Sequence, residues 1–177
     1  MMLRTILSLL AASVVCFAAP STSHNHLIRA AQPSKSTTYG GPGGSPFDDS
    51  PELGSNPKVA SITVTGNKRL DAISFTMASG KTLTHGGEGG SPRTVKFEKD
   101  EYITFVKLCW GPKKKNTGSD RIHYIFIKTS TDRAFEKGLE TWNCKDISAP
   151  KGLAIVGAHG RSANEVDQLG FIFAPRV

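Results

Sequence analysis

The 177 residues, less an export signal, leave room for one domain of ordinary size with its own core. With 22 Lys and Arg against 15 Asp and Glu the formal charge is +7, and loss of Arg4 with the signal lowers it by one, so anionic partners are favoured. Beyond the first 19 residues nothing is long and apolar enough to span a bilayer, which takes about 20 apolar residues, and a transmembrane segment is excluded.

At the N-terminus Arg4 precedes an apolar run from Ile6 to Ala19, broken only by Ser8 and Ser13 and ending in the small residues Ala18 and Ala19. This pattern predicts a secretory signal peptide over residues 1–19 and an extracellular protein. From Pro20 to Thr38 the chain turns to Ser, Thr, Pro, Gln and His, with too few large apolar side chains to offset the entropy of ordering it. Residues 20–38 are therefore expected to be a disordered leader or pro-segment, and 39–177 the folded domain. His24 and His26 fall short of the three or four fixed ligands a metal site needs, and no metal or other cofactor is expected.

The domain opens on Gly40-Gly41-Pro42-Gly43-Gly44-Ser45-Pro46, which returns as Gly86-Gly87-Glu88-Gly89-Gly90-Ser91-Pro92. Between and after these stretches, Ile62-Thr63-Val64-Thr65, Ile73-Ser74-Phe75-Thr76-Met77 and Tyr124-Ile125-Phe126-Ile127 are short, β-branched or aromatic, and bounded by turn residues; they read as strands. Residues 132–140 have room for one turn of helix, but Gly138 and the lack of an apolar period argue against more. Cys16 leaves with the signal, and an oxidising compartment favours a single disulfide between Cys109 and Cys144 over two buried thiols.

A second pattern, Asp-x-[Ile/Leu]-x-[Phe/Tyr], starts at Asp71, Asp120 and Asp167. Both patterns repeat at about a third of the domain, so three similar β-units are inferred to pack around a pseudo-threefold axis. Three antiparallel sheets so arranged make an all-β fold, a β-prism. Together with the glycine stretches, Phe47-Asp48 and the ending Gly160-Arg161-Ser162-Ala163-Asn164-Glu165-Val166-Asp167-Gln168-Leu169-Gly170, residues Tyr39 to Val177 resemble jacalin-related lectins, the β-prism I fold.

That resemblance implies a carbohydrate-binding protein without catalysis or metal, whose partners are glycans or glycoproteins. It would build the primary pocket from Gly44, Asn164, Glu165 and Asp167, with the Asp167 carboxylate accepting from two adjacent hydroxyls and the main-chain N–H groups of the other three donating. The chemistry suits a sugar: carboxylates offer several acceptor sites, backbone donors lose no rotamer entropy, and glycine lets a ligand reach the main chain. Ala163 departs from the family's glycine, and Glu165 stands where many relatives have an aromatic. The internal repeat predicts a second pocket from Asn67, Asp71, Gly89 and Gly90, flanked by Lys68 and Arg69. In the third repeat Asp120 faces Ala134-Phe135-Glu136-Lys137-Gly138, whose side chains obstruct close approach, so no third site is expected. No cleavage signal precedes Gly40, which points to mannose- or glucose-type rather than galactose-type recognition.

The competing reading is a binder of sulfated or anionic polysaccharide, using Lys113-Lys114-Lys115 with Arg93, Lys96, Lys68 and Arg69. Nucleic acid would need base-reading or stacking groups as well and is not an expected partner. Ala78-Ser79-Gly80-Lys81-Thr82 fails as a phosphate loop because Phe75 occupies the first glycine's place. Glu165 and Asp167, on one tight loop, are poorly placed to flank a scissile bond. His85, His123 and His159 read as structural. Single open sugar sites bind weakly, so avidity is expected to come from two pockets or from a homo-oligomer.

Overall fold

The computed structural model describes residues 33–112 and 119–177. The expected signal peptide over 1–19, with Cys16, and His24, His26 and Lys113-Lys114-Lys115 lie outside them, as does most of the expected leader. No helix among the described residues is long and apolar enough to cross a membrane.

Among the described residues thirteen strands follow one another: β1 Ser34–Lys35, β2 Tyr39–Gly40, β3 Ser45–Asp48, β4 Val59–Gly66, β5 Leu70–Met77, β6 Thr82–Gly86, β7 Ser91–Lys96, β8 Ile103–Pro112, β9 Asp120–Thr129, β10 Ala134–Gly138, β11 Asn143–Ser148, β12 Leu153–Ser162 and β13 Val166–Pro175, with one 3-10 turn at Ser50–Glu52. The leader expected over 20–38 gives up its end to the sheet, because Ser34 and Lys35 pair with Phe173 and Ile172. Main-chain pairing to β13, together with a bond from the Phe171 N–H to Ser36 Oγ at 2.9 Å, orders a stretch whose composition alone has little to bury. The possible turn of helix within 132–140 is instead strand β10.

Three antiparallel units share one plan, in which a long central hairpin is flanked by two short strands: β2-β13-β12-β3, β6-β5-β4-β7 and β10-β9-β8-β11. A single bridge, Ile155 to Ile103, joins two of the units into a nine-stranded sheet that includes β1; the third stands as a four-stranded sheet. Among the central strands β4 alternates inward and outward residues as strand geometry allows, whereas β12 and β13 are buried along most of their length. The inner faces of the central strands, with Ile62, Ile73 and Phe75, Leu108, Ile125 and Ile127, and Ile155, Leu169 and Phe171 all fully buried, make one common core.

Each central hairpin carries a bulge at the same place. Thr65 pairs with Ala72 but Gly66 with Leu70, Arg161 with Gln168 but Ser162 with Val166, and Cys109 with Tyr124 but Trp110 with Ile122. The extra residues are Asp71, Asp167 and His123. A bulge re-aims the side chain of its extra residue, and here it does so three times at one end of the prism. The third repeat therefore aligns on His123 and not on Asp120, which stands level with Lys68 and Asn164. Cys109 and Cys144, directly opposed on β8 and β11, form a disulfide.

Candidate functional site

Asp167 is held against the turn between β2 and β3 from both sides. Gly40 pairs with Gln168 and Ser45 with Ser162, and Gly41 N–H donates to the Asp167 carbonyl at 2.9 Å. The turn then passes over the carboxylate so closely that a Cβ on Gly43 would lie 2.6 Å from Asp167 Oδ1, and one on Gly44 would lie 2.7 Å from Oδ2. Gly44 also needs a left-handed backbone, φ +63°, which glycine adopts without steric cost. Arg161 ties the turn down from outside, its guanidinium donating to the carbonyls of Pro42, Gly43 and Gly44 at 2.9, 3.0 and 2.7 Å. The result is a buried carboxylate, 6% exposed, edged by bare main chain.

The second repeat reproduces this arrangement. Gly87 N–H donates to the Asp71 carbonyl at 2.9 Å, a Cβ on Gly89 would lie 2.9 Å from Asp71 Cγ, and one on Gly90, φ +68°, would lie 2.7 Å from Oδ2. Asn67 Oδ1 accepts from Ser91 Oγ at 3.0 Å and anchors the loop rim. In the second repeat Arg69 Nε lies 2.9 Å from Asp71 Oδ1, so part of that carboxylate is already engaged.

The structure thus brings together Gly44 with Asp167, and Gly89 and Gly90 with Asp71, as expected, and places the exposed residues Ala163 and Asn164 on the loop before Asp167. Ala163 has an ordinary negative φ; among the described residues only Asp132 is a non-glycine with positive φ. The family's missing glycine therefore introduces no strain here.

Glu165 serves more than its main-chain donor. Its side chain turns inward, where Oε2 lies 2.5 Å from Arg69 Nε and Oε1 contacts Arg121. Arg69, Arg121 and Glu165 each stand two residues before a bulge residue, so they are equivalent positions in the three units and meet at the axis. Leu70, Ile122 and Val166, one residue on, are all fully buried beneath them. Burial pushes the Arg121 guanidinium below its usual range, with Arg69 adding to the effect and Asp167 and Asp71 opposing it. An aromatic at position 165 would leave two arginines without this carboxylate. Sequence reasoning missed Arg121 and Arg161; the signal for Arg121 is its phase with Arg69 and Glu165, visible only once the repeat is aligned on His123.

In the third unit Gly138 is the equivalent of Gly40 and Gly86, since it pairs with Tyr124 as they pair with Gln168 and Ala72. The loop facing the bulge is thus 138–142 rather than 134–138, and it puts Thr141 and Trp142 where the other units have their glycine pairs. With His123 in place of the carboxylate, the unit lacks both parts of the other pockets. His85 Nε2 lies 2.7 Å from the buried Asp49 with Phe47 stacked on its ring, and His159 contacts the Ser36 carbonyl at 3.1 Å. Among the described residues no three His, Cys, Asp or Glu side chains are placed to hold a metal.

A family model for the jacalin-like lectin domain matches residues 36–172. The chain belongs to the jacalin-like lectin domain family. Jacalin-related lectin 4 of Arabidopsis thaliana is 31% identical over 143 residues, 77% of this chain, although the chain spans only 18% of that protein's length. Horcolin of Hordeum vulgare is 28% identical over 150 residues, covering 81% of this chain and 99% of that one. Among solved structures, a mannose-specific jacalin-related lectin from Morus nigra in complex with mannose matches with a TM-score of 0.68 and 26% identity, over 82% of this chain and 97% of that chain. The β-prism of this jacalin-like domain is thus shared with carbohydrate-binding proteins, and the carboxylates of Asp167 and Asp71 lie against the glycine turns that the repeat singled out.

Proposed function

We propose that this jacalin-like domain is a secreted, non-catalytic binder of mannose- or glucose-type glycans with two pockets, one centred on Asp167 and one on Asp71. The observation that carries the reading is the duplicated pair of a bulge aspartate and two glycines that leave its carboxylate beside bare main chain. In the first pocket the carboxylate accepts from two adjacent sugar hydroxyls, and the N–H groups of Gly44, Asn164 and Glu165 donate to ring and hydroxyl oxygens. In the second, Asp71 has the acceptor role, with Gly89, Gly90 and Asn67 at the rim. The mannose-specific Morus nigra relative supports this sugar class. The disulfide and the N-terminal apolar run support export.

Calorimetric titration of the purified domain with methyl α-mannoside tests the reading. Binding is expected at about millimolar Kd with two sites per chain, falling to one in Asp167→Ala and to none when Asp71→Ala is added. Absence of heat up to tens of millimolar ligand, or binding that survives both substitutions, would overturn it.

A further inference from the structure

The third unit has lost the means of holding a neutral sugar, yet its loop is not a plain connection. Among the described residues, Leu139 and Trp142 are the only exposed large apolar side chains apart from the C-terminal Val177, and Trp142 is 80% exposed. Both lie on the loop equivalent to the two glycine turns. The loop is braced: Thr141 Oγ1 donates to the Trp110 carbonyl at 2.7 Å, and the Cys109–Cys144 disulfide fastens the chain two residues beyond Trp142. A large aromatic ring is thus held out in water on a rigid support.

Beside it opens a cleft of about 330 Å³ lined by Lys68, Arg69, Arg121, His123 and the loop residues 139–141. Its polar groups are nearly all donors. Lysine and arginine offer three and five N–H bonds and no acceptor. Arg69 and Arg121 share the Glu165 carboxylate, and Arg69 also reaches Asp71, but the buried Arg121 Nε and His123 Nε2 make no hydrogen bond. Arg69 is 43% exposed. The one acid on the wall, Glu140, is bound to Lys107 at 2.6 Å. A neutral sugar needs an acceptor for its hydroxyl protons, which Asp167 and Asp71 provide in their units; a carboxylate or sulfate only accepts, and a wall of donors matches it.

We propose that this cleft is a third ligand site of different chemistry, taking a saccharide with an anionic substituent. The anionic group sits among Lys68, Arg69 and Arg121 with His123 behind it, and a sugar ring packs on Trp142. Of the basic residues singled out in the sequence that lie among the described ones, Lys68 and Arg69 line this cleft and Arg93 and Lys96 do not.

A tetragalacturonate and a sulfated heparin tetrasaccharide, titrated separately at low salt, supply carboxylate and sulfate arms. At least one is expected to bind at one site per chain, undisplaced by excess methyl α-mannoside. Trp142→Ala is expected to weaken it about tenfold and Lys68→Ala about threefold. Ligand should also change the tryptophan emission of the wild type and leave that of Trp142→Phe unchanged. No binding by either probe, displacement by mannoside, or affinity untouched by both substitutions but lost in the Lys113→Ala, Lys114→Ala, Lys115→Ala triple variant would overturn the proposal. Mannoside titrations on the same samples report the two neutral pockets independently.

Discussion

Gly44, on the turn against Asp167, and Ala163, on the loop before it, show how backbone conformation divides the tolerable from the intolerable. Ala163 stands where relatives have glycine but keeps a negative φ, so its methyl group adds nothing to the loop's free energy. Gly44 is left-handed, and an added Cβ would also lie 2.5 Å from the Ser162 carbonyl carbon. Gly44→Ala is therefore expected to destabilise the domain by about 2 kcal/mol and to remove one of the two mannoside sites, with urea denaturation and calorimetry as the readouts. The two glycine turns and the two aspartates set against them could be picked out in the sequence because both recur at repeat spacing. His123 could not, because Asp120-Arg121-Ile122-His123-Tyr124 mimics the aspartate pattern three residues too early, and only strand register shows which residue is the bulge.

The long hairpins matter at both ends. Opposite its bulge, the β8–β9 hairpin is closed by Glu101, whose buried carboxylate accepts from Thr129 Oγ1 at 2.6 Å, Thr131 Oγ1 at 2.8 Å, Arg133 NH1 at 2.7 Å and the Glu98 N–H at 3.0 Å. Burial alone would raise its pKa, but these donors and the Arg133 charge outweigh burial and hold it below the usual carboxylate value. A carboxyl lowered by folding stabilises the native state above its unfolded pKa of about 4.3, and that contribution is lost as pH falls through the lowered value. Thermal unfolding should show wild type losing stability between pH 5 and pH 3, and Glu101→Gln losing less over the same interval. Of the strands in these hairpins, β4, β5 and β9 could be read from the sequence by their β-branched and aromatic runs. Their flanking partners β1, β2 and β10 could not, because two to five residues of mixed polarity carry no period of their own and are strands only through their neighbours.

For the molecule as a whole, the threefold pattern is both the architecture and its point of tension. Equivalent positions must meet at the axis, and two of them are arginines. Glu165 resolves this by pairing with both, which also links the loop of the first pocket to the carboxylate of the second through Arg69. Glu165→Ala is expected to cost about 3 kcal/mol, since Arg121 is left buried without its counter-charge. It should also change mannoside affinity at the Asp71 pocket, which Asp71→Ala as a second variant separates from the first. The overall prism followed from the repeats; this charge at its axis did not, since no spacing in the sequence shows which residues converge.

The unit that holds the Asp167 pocket is assembled from both ends of the domain, β2 and β3 from the beginning and β12 and β13 from the end. Its glycine turn and its aspartate are separated by most of the chain, and such distant pairing is slow to form. During synthesis the Asp71 hairpin and its glycine turn emerge together, well before residues 160–170. A growing chain thus holds the Asp71 carboxylate beside its glycine turn long before the Asp167 carboxylate meets its own, which waits until the last strand is in place.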